Sequence, residues 1–224
     1  MSQELEEQWR LQPPPLFGRG LFLLVGPTMC GKSTMITRLV EQADQKLVQS
    51  PSTIIVCHAG GNQFRDVAQR DDRVQLRVGL PDADLWREIR RDNSKHKLLI
   101  LDDVEQLLTA DLIHRLVAID CHHANITCVC SIHQLYHPNW REARLNASYI
   151  CLFKSPSDQS SLARFAAQIR PGETRFMMDA FRDATARPGG YLLIDCTQSV
   201  DDRLRFRTNV FGEAEQWCYV PVYK

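Results

Sequence analysis

Long apolar runs are missing from this 224-residue chain. The longest are about five residues, far below the roughly 20 a helix needs to cross a bilayer, so no membrane helix is expected. A secretory leader is not expected either, because the chain opens on the acidic, polar MSQELEEQWR. An excess of one charge is also lacking. Lys+Arg and Asp+Glu stand at 27 each, so no global basic field announces a nucleic acid, and any such contact has to come from local clusters. Paired cysteine spacing is absent: the eight cysteines include no C-x-x-C. Even CHHANITCVCSIH, rich in His and Cys, lacks the spacing of a structural zinc site. Several cysteines fall inside apolar runs, which suits reduced, buried thiols in an intracellular, non-secreted protein. On that reading the N-x-[ST] matches at Asn125 and Asn146 are chance. Internal repeats and low-complexity segments are absent too.

What is present fits one domain with short arms. Residues 1–19 end in LQPPPLFGRG, whose consecutive prolines cannot sit in a helix interior or a central strand, and read as an N-terminal arm. The domain is expected over residues 20–198, with residues 199–224 as a C-terminal extension packed on it. Strands are expected at LFLLV, STIIVCH, VQLRV, KLLILDDV, NITCVCSIHQ, ASYICLF and GGYLLIDC. Helices are expected after Gly31, over PDADLWREIRRD, from Glu105 to about Ile119, and over QSSLARFAAQI. Strands alternating with helices at this spacing predict an α/β fold: a mostly parallel central sheet with helices on both faces.

LFLLV runs straight into Gly26-Pro27-Thr28-Met29-Cys30-Gly31-Lys32-Ser33-Thr34, which satisfies G-x-x-x-x-G-K-[ST] between a strand and a helix. Gly26 and Gly31 can take backbone angles that let successive N–H groups curl around phosphates at a helix N-terminus. Lys32 supplies a mobile charge for the outer phosphates, and the Ser33 hydroxyl is a ligand for Mg²⁺. The expected cofactors are therefore ATP and Mg²⁺. Behind the loop, Met35, Ile36, Leu39, Val40 and Ala43 recur at helical spacing and would pack this helix on the sheet.

The acids closing LLILDD carry the second half of the site, because an α/β sheet gathers ligand groups at the carboxyl ends of its strands. Asp102 is assigned to the Mg²⁺ shell, directly or through water. Asp103 is assigned to polarising the attacking water. The plainer alternative is that the pair caps the following helix. Gln134 ends the next buried strand and would sit beside this pair if that strand is a neighbour in the sheet, where a neutral amide can hold the water or feel the γ-phosphate. No arginine lies in the loop or beside the acids, although phosphoryl transfer gains from a further cation on the γ-phosphate. Arg144, and after it Arg170, are the candidates for that cation, supplied across a subunit boundary if the chain forms the ring that the family resemblance given next implies. Pairing of Arg144 with a carboxylate of its own subunit is the alternative.

GPTMCGKST, LLILDDV, the long stretch CHHANITCVCSIHQLYHPNWREARLNASYICLFKSPSDQSSLARFAAQI, and GGYLLIDC with LRFRTNVF resemble, in order and spacing, the genome-packaging ATPases of the FtsK/HerA superfamily. The likeness is greatest to those of poxvirus-like and Polinton-like (Maverick) elements, and runs from Phe17 onward. It implies a RecA-like P-loop NTPase that assembles into a homo-oligomeric ring and pumps double-stranded DNA into a capsid. It also implies a capsid or portal partner, and a place in the host nucleus or cytoplasm or with the virion. Two positions depart from the pattern. Met29 and Cys30 stand where a small Gly-Ser pair is usual, and either crowd the phosphates or point outward. Pro156-Ser157-Asp158 replaces a Pro-Arg-Asp and removes one basic contact. A small-molecule kinase and a non-catalytic, nucleotide-gated scaffold are the competing readings. The first lacks the arginine-rich lid of its class, and intact Lys32, Ser33, Asp102 and Asp103 speak against the second.

Overall fold

Strands buried on both faces need side chains that are mostly apolar, with any polar ones partnered or kept for the site, and this chain supplies them. β1 (Gly20–Val25), β4 (Lys97–Asp102) and β5 (Ile126–Ile132) are buried throughout. The computed structural model describes residues 17–211 and 216–222, so residues 1–16 of the expected arm and residues 212–215 and 223–224 of the expected extension lie outside it. β2 (Thr53–His58), β3 (Val74–Val78) and β6 (Tyr149–Phe153) complete a parallel set with β1, β4 and β5. β7 (Tyr191–Asp195), β8 (Phe206–Thr208) and β9 (Trp217–Tyr219) continue the same sheet antiparallel. The order is β3-β2-β4-β5-β1-β6-β7-β8-β9. The fold is thus the expected one, a mostly parallel central sheet with helices on both faces.

On one face lie α1 (Lys32–Glu41), α2 (Ala43–Lys46) and α3 (Arg65–Arg70). There Met35, Ile36, Leu39 and Val40 of α1 pack on Phe22, Leu24, Leu98 and Ile100. The opposite face carries α4 (Ala83–Arg91), α5 (Ala110–Arg115), α6 (Cys121–His123), α7 (Arg141–Asn146), α8 (Gln159–Ile169) and α9 (Thr174–Ala184). Leu85, Ile113, Leu162, Phe165 and Phe181 pack there against Leu21, Leu23, Leu99 and Leu101. Each such side chain contributes about 1.5–3 kcal/mol when fully buried. Among the described residues no helix is long and apolar enough to cross a membrane.

The expected helix from Glu105 differs in detail. Glu105–Leu107 form a 3-10 turn, Leu108 is extended, and α5 starts afresh behind Thr109, whose hydroxyl accepts from the Leu112 N–H at 3.3 Å. A capping threonine outcompetes continuation of the turn. Leu116–Asp120 then widen into a π-turn, and Asp120 receives Arg90 through two bonds of 2.8 and 2.7 Å.

Two helices rather than one separate β6 from β7. α8 carries the chain down the sheet and α9 carries it back, so β7 has to descend and pair antiparallel with β6. The turn after α9 consequently lies at the same end as the carboxyl ends of β1 and β4. Phe17 is buried, bridges to Leu47, and meets the rings of Phe22, Tyr149 and Phe211.

Candidate active site

β1 delivers the chain into the glycine loop, and α1 opens at Gly31, which holds φ 113°. No side chain caps α1 and no acid stands in its first turn. The first-turn N–H groups therefore face outward without a competing partner, which suits phosphate oxygens. A Cβ on Gly26 would lie 2.7 Å from Phe153 Cβ and 2.8 Å from Cys30 Sγ, and one on Gly31 would lie 3.1 Å from Gly189 Cα. The loop is thus held between the ends of β6 and β7. Lys32 lies folded over it, donating to the carbonyls of Gly26 at 2.6 Å and Pro27 at 2.9 Å.

Met29 takes φ 63° and is 98% exposed, so its side chain points away from the cradle. Cys30 is half-buried. Burial pushes its thiol up, against the pull of the Lys32 ammonium, which leaves a protonated and unreactive group.

Alternation along β4 places Asp102 with Leu98 and Ile100 on the face covered by α1. The Ser33 hydroxyl donates to Asp102 Oδ2 at 2.7 Å, and Gln63 Nε2 donates to the same oxygen at 3.2 Å. Asp102 is 1% exposed, and its Oδ1 is buried with no hydrogen-bond partner. A buried, orphaned carboxylate oxygen beside a hydroxyl is a costly arrangement that a hard cation relieves, so these residues fit Mg²⁺. Among the described residues no three His, Cys, Asp or Glu side chains gather as a metal-holding group. Mg²⁺ does not require one, since it keeps waters and phosphate oxygens in its shell.

Asp103, one residue on, lives in another environment. It adopts φ 57°, a left-handed conformation that aspartate tolerates, and its N–H donates to Ser131 Oγ on β5 at 2.9 Å. That turn lifts its carboxylate off the sheet, leaving the side chain 60% exposed. β5 lies between β1 and β4, which meets the condition set for Gln134. Gln134 is exposed and lines a cleft with Pro27, Thr28, Tyr136 and Asp158. The residue of this strand end that reaches the acid, however, is His133, whose Nε2 is 3.7 Å from Asp103 Oδ1. His133, Glu105 and Gln63 are polar neighbours of the acids to which the sequence assigned no role. The dipeptide His133-Gln134 at a strand terminus was the one local signal, and nothing local marks Gln63.

Arg144 sits in α7, donates to Gln168 Oε1 at 2.9 Å, and stacks over Tyr136 at 4.4 Å. Gln168 lies nine residues beyond the start of α8, about 13 Å along its axis. Arg170 is held within its own chain by Glu173 at 2.9 Å and Asp202 at 3.5 Å. The thiols of Cys128 and Cys130 are buried, 3.7 Å apart, and burial pushes the Cys128 thiol up.

On the other side of the loop a cleft of roughly 1020 Å³ opens beside Arg38, Gly189, Tyr191, Asn209 and Trp217, and a smaller recess joins it to Cys30, Gly31 and Thr34. The loop thus has a cleft at each end.

A family model described as the AAA domain matches residues 16–134, the span that holds the loop, both acids and Gln134. No curated protein matches the sequence. Among solved structures, the cytoplasmic domain of the type VII secretion ATPase EccC of Thermomonospora curvata is similar over 83% of this chain, with 14% identity and a TM-score of 0.55. The chain spans 26% of that structure, and the likeness is one of fold. A second T. curvata structure, ATPases 2 and 3 of EccC in complex with a signal sequence peptide, is similar over 59% of this chain and 29% of that one, with 19% identity and a TM-score of 0.40.

Proposed function

This chain belongs to the AAA domain family of P-loop ATPases, and on that premise we propose that it is the ATP-hydrolysing subunit of a ring-shaped motor that drives double-stranded DNA into a viral or mobile-element capsid. The observation that carries the hydrolytic part is the pairing of Ser33 with Asp102 at 2.7 Å, beside an orphaned carboxylate oxygen and an exposed second acid. The DNA part is supported by the series of motifs from GPTMCGKST to LRFRTNVF.

In this mechanism Lys32 leaves the loop carbonyls for the outer phosphates, while the first-turn N–H groups of α1 hold the inner ones. Ser33 and Asp102 would hold Mg²⁺, which supplies charge neutralisation between the outer phosphates. Asp103 accepts a hydrogen bond from the attacking water and turns its lone pair toward the phosphorus. Gln134, a neutral amide in the cleft next to Thr28, holds that water in place. The nucleoside takes the cleft on the opposite side of the loop, beside Arg38 and Asn209, which is large enough for it. Arg144 is offered to a neighbouring subunit, since its hydrogen-bond partner is an amide and not a carboxylate.

The test is ATP turnover and nucleotide binding for Lys32→Ala and Asp103→Asn, with unrelated DNA duplexes added across a salt series. Lys32→Ala should lose nucleotide binding. Asp103→Asn should bind ATP and turn over about 100- to 1000-fold more slowly. Any duplex should stimulate the wild type, with an affinity that falls steeply as salt rises. Wild-type turnover by Asp103→Asn overturns the assignment of that acid. Stimulation by nucleoside monophosphates or by polypeptide instead of DNA overturns the motor reading and leaves the ATPase standing.

A further inference from the structure

His133 holds a place in this site that the roles of Asp103 and Gln134 leave unexplained. Its ring is fixed from one side by a single carboxylate: Glu105 Oε1 lies 2.6 Å from Nδ1, and Glu105 Oε2 accepts from the His133 backbone N–H at 2.8 Å. A carboxylate accepts and does not donate, so Nδ1 carries a proton and Nε2 is the atom left free to choose. Nε2 has two neighbours, Thr28 Oγ1 at 3.4 Å and Asp103 Oδ1 at 3.7 Å. On a neutral ring Nε2 accepts from the threonine hydroxyl; on a cationic ring it donates to the aspartate. One nitrogen thus faces the phosphate-binding loop and the exposed acid together, and the two bonds exclude each other.

The exposures follow the same hierarchy. Asp103 is the most exposed of the three side chains, His133 is less so, and Glu105 least. The exposed Asp103 carboxylate thus has the His133 Nε2 3.7 Å away, on a ring that Glu105 anchors from behind. Asp158 lines the same cleft and is the further charged group there.

We propose that His133 is a positioning residue that couples the phosphate-binding loop to Asp103, with Glu105 as the anchor of its ring. This rests on reading Asp103 as the acid that polarises water. When Thr28 leaves Nε2 and that nitrogen takes up a proton from solvent, Nε2–H donates to Asp103 and fixes the carboxylate; when the threonine hydroxyl returns and donates to the bare nitrogen, the bond to Asp103 is lost. The loop then sets the aim of the acid without any displacement of β4.

Two substitutions separate the ring's atoms. His133→Asn keeps an amide near the Nδ1 position for Glu105 and leaves nothing at Nε2, whereas His133→Gln places an amide near Nε2. ATP turnover should show kcat reduced by about 10- to 100-fold in His133→Asn, with KM and the affinities for ADP and a non-hydrolysable ATP analogue within about threefold of wild type. His133→Gln should recover most of the loss. Combining Thr28→Val with His133→Asn should cost no more than the worse single change, because both cut one link. Nitrogen NMR of ring-labelled histidine adds a readout without turnover: the His133 Nε2 resonance should move on adding the analogue, and not in Thr28→Val. A wild-type kcat in His133→Asn, or an unmoved resonance, overturns the coupling. Equal losses in both variants, accompanied by lower unfolding midpoints, also overturn it and leave the ring a structural brace. Asp103→Asn assayed alongside tells the failures apart. If it is slow while His133→Asn is not, only the coupling falls; if it is as fast as wild type, both readings fall.

Discussion

The carboxyl ends of β4 and β5 and the opposite end of the sheet both carry charged side chains, and they treat them differently. At the carboxyl ends, Asp103 stands in water, Asp102 keeps an unpartnered oxygen, and Lys32 rests on carbonyls that its ammonium can exchange for phosphate. At the other end Arg207 is 0% exposed, bonded to Asp195 Oδ2 at 2.8 Å beneath the ring of Phe17. Asp195 also accepts from the backbone and hydroxyl of Thr197. His96, just before β4, is likewise enclosed: Nδ1 meets the Gln49 carbonyl at 2.6 Å and Nε2 meets the Thr127 hydroxyl at 2.9 Å. The difference teaches where to look for chemistry in this fold. A buried charge held in an ion pair ties strands together, and an unpartnered carboxylate oxygen beside a phosphate-binding loop marks the site.

The sharpest way to break that contrast is Arg207→Met. It strands Asp195 without its cation and should cost about 3–5 kcal/mol in urea unfolding, while Arg207→Met combined with Asp195→Asn should cost less than the two singles summed. A loss below about 1 kcal/mol would mean that the far end is not held by this pair. A smaller effect is expected at the near end from Gly26→Ala. The added methyl would meet Phe153 Cβ, which is tied to the backbone and cannot swing aside. The expected cost is about 1–3 kcal/mol, with nucleotide affinity falling as the loop shifts. Relief by adding Cys30→Ala would show that the thiol, the other close contact, shares the clash.

The smallest effect concerns protons. Burial holds His96 below its ordinary value of 6.5, outweighing the Gln49 carbonyl that favours the charged ring. The unfolded chain therefore binds this proton more readily than the folded one. The stability contributed by the neutral ring is complete above pH 6.5 and drains away as pH falls below it toward the folded value. Between about pH 7.5 and about pH 5.5 His96 should contribute at most roughly 1.4 kcal/mol per pH unit to the unfolding free energy, so the wild type should lose more stability than His96→Gln over that interval. An unchanged slope in the variant would assign the effect to other groups.

The sequence made the parallel half legible because its signals are dense and local. LFLLV before a glycine loop, KLLILDD, and QSSLARFAAQI, which matches α8 residue for residue, each state their element without reference to a partner. β8 and β9 are three residues each, too short to show alternation, and they lie in what reads as a mixed tail. Arg207 illustrates the limit, since nothing in LRFRTNVF tells a buried guanidinium from the surface ones that are far commoner. α9 did carry its pattern, in Phe176, Met177, Ala180, Phe181 and Ala184, but interleaved charges masked it. In the site, residue types at fixed spacing gave the loop and the acids. The link between Asp103 and His133 depends on β4 lying beside β5, and that adjacency is a property of the folded chain alone.

The paired helices between β6 and β7 limit how this chain can change its length. Because α8 descends and α9 returns, Gly189 arrives against Gly31, and Asn209 arrives on the same cleft wall as Arg38. Extra turns added to both helices would leave that meeting intact. Deleting one helix would reverse β7 end for end and carry the Pro188–Gly189–Gly190 turn to the opposite rim of the sheet, stripping the loop of its neighbour. Length in this segment can therefore be gained or lost only in matched pairs, a parity rule imposed by the strand that follows.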